Sequence, residues 1–249
     1  MIDKKTRIAC VGNMNNNMFS IMRHLRSRGY NADLICSNET EHFSPDADTF
    51  DKTYLIHINQ IDFFNCNILE SNRFKINKYF KRYNFIMACG PSVAYLTYAK
   101  VKIDLVIPYG SDYYNLPFLP ITHIKNKLNR WRFVFAFNQK KGIENAAAIL
   151  FDHTSEEFEK IENNFSFKGK RYKHTCPFIF TPEFNIDNLK NLQKFSNYSN
   201  LMLDIKNKFD FIALSHIRQS WKNPEDIWSY KGNDRIFKSF KSFFNLIGA

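Results

Sequence analysis

The residues best suited to chemistry lie in three short stretches and one isolated position. Residues 12–17, Gly-Asn-Met-Asn-Asn-Asn, begin with Gly12, which is free to take a positive φ. Asn13 and the asparagines after it supply amide donors and acceptors. Gly110, Ser111 and Asp112 form a second small, polar element, whose carboxylate suits a sugar hydroxyl or, given a partner, general base work. The third group is Arg218 followed by Lys231, Gly232, Asn233 and Asp234: two cations, a permissive glycine and two side chains able to cap a helix. His153 stands alone, either facing a cleft or serving as a local hydrogen-bond partner.

These residues fall where strands end. Apolar residues 8–11 read as a buried strand that stops at Gly12. Met18, Ile21, Met22 and Leu25 then recur at helical spacing, Gly29 stands at the C-terminal cap, and residues 32–36 read as the next strand. Residues 7–37 therefore make a βαβ unit, which predicts an α/β domain, Rossmann-like, with a parallel sheet and helices on both faces. Strands are expected at 54–58, at 85–89 before Gly90 and Pro91, at 105–109 before Gly110, and at 146–151 before His153. Ser92 is expected to cap a short helix through Tyr98, and Thr154 with Glu157 forms a capping box for a helix carrying Phe158, Ile161 and Phe165. Two readings fit residues 12–17: a polar turn, or the lining of a cleft at the carboxyl end of the first strand. The turn holds one glycine where a dinucleotide fingerprint has three, so a tightly bound NAD is disfavoured.

Residues 39–51 are acidic and interrupted by Pro45, which marks a loop. Residues 169–200 are polar and contain Pro177 and Pro182, which reads as a connection out of a first domain covering residues 1–200. Beyond it, residues 211–214 are an apolar strand, 215–226 a polar loop, and Ile236, Phe237, Phe240 and Phe244 a helical stripe.

The chain has 249 residues and is 44% hydrophobic, enough for a packed core. Its 26 phenylalanines against 8 glycines argue for a Phe-rich core and against glycine-rich phosphate loops. A net charge of +11 favours an anionic partner: a sugar nucleotide, a membrane surface or nucleic acid. Nucleic acid is disfavoured because no recognised motif accompanies the charge. The five cysteines are scattered, without a CxxC pair or clustered histidines, so neither a disulfide framework nor a metal site is expected, and a reducing, cytoplasmic setting fits. No stretch approaches the roughly 18 apolar residues of a membrane span. Residues 74–83 interleave Lys75, Lys78, Lys81 and Arg82 with Phe74, Ile76, Tyr79 and Phe80. Such a helix either lies on an anionic membrane, through Phe74, Lys78, Tyr79, Lys81 and Arg82, or is a surface helix with an aromatic core face. Residues 123–137 form a second basic and aromatic segment around Trp131 and Phe133.

The loop after the first strand, the Gly110-Ser111-Asp112 element, and Arg218 with Lys231-Gly232-Asn233-Asp234 together resemble GT-B glycosyltransferases, in particular the retaining, family-4-like group. The resemblance implies an N-terminal acceptor-binding domain whose cleft includes Gly12, Asn13, Gly110, Ser111, Asp112 and His153. It implies that Arg218, Lys231 and Gly232 meet the diphosphate of a nucleoside-diphosphate sugar, where cations neutralise the leaving group. No metal or other cofactor is implied. The sequence departs from the family in one respect: its second domain carries a Glu-x7-Glu element after the lysine, and no glutamate follows Lys231 here. The expectation is thus the acceptor domain plus residues 201–249 as an incomplete start of a donor domain, a truncated product or fragment with little activity of its own. The function implied is sugar transfer to a glycan or lipid-linked acceptor in cell-surface polysaccharide or glycoconjugate synthesis, in the cytoplasm or peripherally at the inner face of the membrane. The alternatives are a non-catalytic, membrane-associated subunit of a two-chain transferase and a basic nucleic-acid-binding module.

Overall fold

Apolar side chains alternate along the first strand so that Ala9 and Val11 enter one core while Ile8 and Cys10 enter another, which requires cover on both faces of the sheet. The computed structural model describes residues 3–37, 45, 49, 51–64, 67–118, 130–151, 161–173, 179–183, 187, 204, 207 and 208. In chain order the elements are β1 (Arg7–Val11), α1 (Asn17–Ser27), β2 (Asn31–Cys36), β3 (Ile58–Gln60), α2 (Arg73–Phe80), β4 (Phe85–Ala88), α3 (Ser92–Tyr98), β5 (Leu105–Val106), α4 (Ser111–Tyr114), α5 (Arg130–Asn145), β6 (Ala148–Phe151) and β7 (Lys170–Lys173). Among the described residues the sheet has seven strands in the order β3-β2-β1-β4-β5-β6-β7, and every neighbouring pair is parallel. This is a Rossmann-like α/β fold with the strand order reversing between β1 and β4.

Helix α1 covers one face through Met18, Phe19, Ile21 and Met22, packed on Ile8, Cys10, Leu34 and Met87. Residues of α2, α3, α4 and α5 cover the other, where Ile76, Phe80, Val93, Leu96, Tyr113 and Ile143 meet Val11, Ile35, Ala88 and Val106. Helices α3 and α5 pack closely at Gly142, where a Cβ would collide with Thr97 Oγ1 and Val93 Cγ1. The chain divides into two units, Met1–Leu189 and Lys190–Ala249. All twelve named elements belong to the first; of the second, the described residues include Lys208, whose Nζ pairs with Asp204 at 2.7 Å.

Several elements differ from expectation. Residues 54–58 are not a strand: Lys52–His57 forms 3₁₀ turns and the strand begins at Ile58. The cause lies just upstream, where the Asp51 carboxylate accepts from the Thr53 N–H (2.9 Å) and hydroxyl (2.6 Å) and so starts a turn. Ser92 does not precede α3 as its cap but opens the helix, donating its hydroxyl to the Cys89 carbonyl at 2.6 Å. The strand expected at 105–109 pairs only over Leu105–Val106. Residues 170–173 are a paired strand inside the stretch read as a connection, and their polarity fits an edge. Helix α5 escaped the sequence reading because residues 133–137 are apolar all round and show no stripe. The capping box at Thr154 and Glu157, the strand and helix of residues 211–244, Cys66 and Cys176 lie outside the described residues, as do residues 123–129 of the 123–137 segment.

Candidate cleft at the strand crossing

Where β1 and β4 lie side by side, the helices that follow them leave on opposite faces, α1 over one core and α3 over the other. Chain departing in opposite directions opens a crevice at the carboxyl ends of the strands. A cleft of about 110 Å³ lies there, lined by Gly12, Asn13, Met14, Cys36, Ser37, Pro45, Gln60, Phe64, Pro91 and Ser92. Its lining thus comes from the residues just after β1, β2 and β4 and from the end of β3.

Gly12 forms the floor. Its φ is +83° and its N–H donates to the Ile35 carbonyl at 2.9 Å. A Cβ there would stand 2.6 Å from the Cys89 carbonyl oxygen, so the loops after β1 and β4 can meet this closely only at glycine. The asparagines then turn the chain into α1. Asn15 and Asn16 have φ of 50° and 57°, a left-handed pair that asparagine accepts better than most residues. Asn13 accepts from the Phe19 N–H at 3.0 Å and donates to Asn16 Oδ1 at 2.7 Å, while Asn17 accepts from the Met18 N–H at 2.7 Å. These amides satisfy the first N–H groups of α1 with side chains of the same loop. The Asn13 carbonyl-side oxygen is therefore committed to the helix although the residue lines the cleft.

Asp112 lies behind this wall. It is 2% exposed, and its carboxylate accepts from the N–H groups of Gly90 (2.8 Å), Gly110 (2.8 Å) and Tyr109 (2.9 Å). Burial pushes its carboxyl above the ordinary carboxylate range, and the N–H donors of Tyr109, Gly90 and Gly110 pull it back. Gln139 of α5 closes the network, donating to the carbonyls of Gly90 (3.1 Å) and Asp112 (3.0 Å). The segments after β4 and β5 are thereby tied to each other and to a helix, which fixes the wall carrying Pro91 and Ser92.

Of the sequence-predicted residues, Gly12 and Asn13 line the cleft, and Asp112 supports its wall through Gly90. Gly110 takes part through its N–H, with φ of 151°, and half-buried Ser111 opens α4; neither lines the cleft. His153, Arg218, Lys231 and Gly232 lie outside the described residues. Among the described residues no group of three His, Cys, Asp or Glu side chains could hold a metal ion, and no helix is long and apolar enough to cross a membrane. The sequence reading missed Gln139, Ser37 and Gln60. Gln139 carries no local signal on a helix without a stripe, whereas Ser37 and Gln60 could have been found as the residues that close two parallel strands.

No family model matches the chain, and no curated protein matches its sequence. Among solved structures, UGT73P12 of Glycyrrhiza uralensis complexed with glycyrrhetinic acid 3-O-monoglucuronide is similar at a TM-score of 0.42 and 10% identity. The match covers 82% of this chain and 55% of that one, so this chain spans little more than half the length of that protein. The Rossmann-like assignment rests on the strand order of the chain itself.

Proposed function

We propose that this chain is the acceptor-binding part of a glycosyltransferase that takes its sugar from a nucleoside-diphosphate sugar, in cell-surface polysaccharide or glycoconjugate synthesis. The observation that carries the reading is the cleft at the β1–β4 crossing, floored by Gly12 and flanked by the polar groups of Asn13, Ser37, Gln60 and Ser92. Among the described residues the lining offers neutral donors and acceptors and neither a cation nor a carboxylate, which suits a hydroxyl-rich glycan better than a phosphate. On this reading residues 1–200 bind the acceptor and residues 201–249 begin the donor-binding region, where Arg218 and Lys231 neutralise the departing diphosphate. The acceptor hydroxyl attacks the anomeric carbon, and no metal is needed when cationic side chains hold the leaving group. The setting is cytoplasmic, at the inner face of a cell membrane.

The test is saturation-transfer NMR of the purified chain with a panel of hexose-containing oligosaccharides, repeated on Ser37→Trp, which fills the cleft from a half-buried position. Transfer to one or more oligosaccharides that disappears in Ser37→Trp supports the proposal. No transfer across the panel, or transfer unchanged by the tryptophan, overturns it.

A further inference from the structure

Helix α2 turns Ile76 and Phe80 into the core, yet leaves Phe74 83% exposed, the largest apolar exposure among the described residues. Seven cations stand on α2, on the two residues after it and on the turn between α3 and β5: Arg73, Lys75, Lys78, Lys81, Arg82, Lys100 and Lys102. They divide by environment. Lys75 lies over the ring of Phe63 (5.5 Å), Arg82 over Tyr79 (4.0 Å) and Arg73 over Tyr98 (4.9 Å), while Lys102 pairs with Asp104 at 3.0 Å. Lys78, Lys81 and Lys100 have neither a carboxylate nor a ring partner among the described residues.

The fold holds these three lysines beside Phe74. Phe74 and Lys78 of α2 and Lys81 at its C-cap, still in helical conformation, share one face at helical spacing. Lys100 is fixed by its turn, where it adopts a left-handed φ of 58°, and Asn77 of α2 donates to the carbonyls of Ala99 (3.0 Å) and Lys100 (3.4 Å). On either side of Asn77 lie depressions of about 250 and 260 Å³: Arg73, Phe74 and Lys100 line the first, Lys81, Lys100 and Lys102 the second. The second also includes Asn84 and Asp104, beside the amino ends of β4 and β5, so it opens at the end of the sheet opposite the Gly12 cleft.

We infer that Phe74, Lys78, Lys81 and Lys100 form a docking surface for an anionic lipid membrane, with the phenyl ring entering the headgroup layer and the lysines meeting lipid phosphates. Cations without a carboxylate or ring partner among the described residues, set around one protruding ring, complement a surface that is anionic outside and apolar just beneath. A nucleic acid would ask for further rings free to stack, and Tyr79, Phe80 and Tyr83 instead pack on one another, with Tyr79 5.2 Å from Phe80 and 6.3 Å from Tyr83. The inference rests on the proposed function for its setting and on none of the cleft residues. It also revises the surface read from sequence, in which Tyr79 and Arg82 took part, because their side chains are engaged with one another.

Sedimentation of the full chain with vesicles tests it, using equal parts phosphatidylcholine and phosphatidylserine against phosphatidylcholine alone. The expected result is binding to the anionic vesicles only. It should fall about a hundredfold when Lys78, Lys81 and Lys100 are all changed to Glu, with an unchanged far-UV spectrum. Phe74→Ser, at a position 83% exposed and outside the core, should lower binding about tenfold with an unchanged far-UV spectrum. Equal binding to both vesicles, no binding to either, or charge-dependent binding to a nucleic-acid oligomer in place of vesicles overturns the inference. These readouts use no sugar, so they fail independently of the oligosaccharide experiment.

Discussion

Arg23 on α1 and Glu183 on the turn after β7 are 160 residues apart and form an ion pair in which both side chains are 2% exposed. The guanidinium lies over the rings of Phe19 (4.3 Å) and Phe180 (5.0 Å), and the other carboxylate oxygen accepts from the Thr49 hydroxyl (2.6 Å) and the Asp51 N–H (2.8 Å). Two buried charges are tolerated because each meets the other and further donors or rings. The pair holds the segment after β7 against α1 on the far side of the sheet.

Removing one charge leaves the other buried and uncompensated. Glu183→Leu and Arg23→Met should each cost about 3–5 kcal/mol in urea unfolding, while the double variant should recover a large part of the loss. Additive losses would show that the two residues act separately.

Asp112 should give a pH signature. Its folded carboxyl lies above the ordinary range, chiefly through burial, so the folded chain takes up this proton at higher pH than the unfolded chain. The group's contribution to stability is therefore present below the unfolded value near pH 4 and is lost as pH rises through the folded value. Asp112→Asn sets an NH₂ group against N–H donors and should destabilise by about 1–3 kcal/mol. The difference from the parent, measured by urea unfolding at successive pH values, should narrow as pH rises.

Gly12 and Gly29 share a φ of +83° but not their surroundings. A Cβ on Gly29 would meet nothing closer than Lys4 Nζ at 3.5 Å, the end of a flexible side chain, whereas one on Gly12 would meet backbone at 2.6 Å. Gly29→Ala should cost about 1 kcal/mol, the price of left-handed backbone alone. Gly12→Ala should cost about 3 kcal/mol or more, because the β1 and β4 loops must separate. Equal losses would refute the close approach that forms the cleft floor.

Cys10, Cys36 and Cys89 are buried and unbridged, and burial pushes the Cys10 thiol far up, with Cys89 adding to the effect. A thiol held protonated and covered is a poor nucleophile. Cys10→Ser should leave the rate of reaction with a disulfide reagent unchanged in native buffer and remove one reacting group in denaturant.

Local chemistry is what the sequence could express. The short apolar runs of β1 and β2, the 3.6-residue stripe of α1 and the glycines after β1 and α1 made the first βαβ unit legible, because each signal lies within a few residues of the structure it specifies. From that unit the parallel, two-faced sheet followed. Gly12 and Asn13 were readable as cleft residues for the same reason: parallel strands place their following loops at one end.

Partners distant in sequence were decided by tertiary structure alone. Nothing near Asp112 announces that its carboxylate will hold Gly90, or near Gln139 that its amide will bridge both, since those groups meet only when β4, β5 and α5 pack. Arg23 carries no local signal of burial, and its partner Glu183 stands 160 residues away. Residues 170–173 looked like linker because an edge strand draws its stability from hydrogen bonds to β6 and needs no apolar pattern of its own. The sequence by itself determined which faces are apolar and where the chain turns. Only the fold decided which polar groups lose water together, and that loss, by demanding a partner for each, is what builds the wall of the cleft.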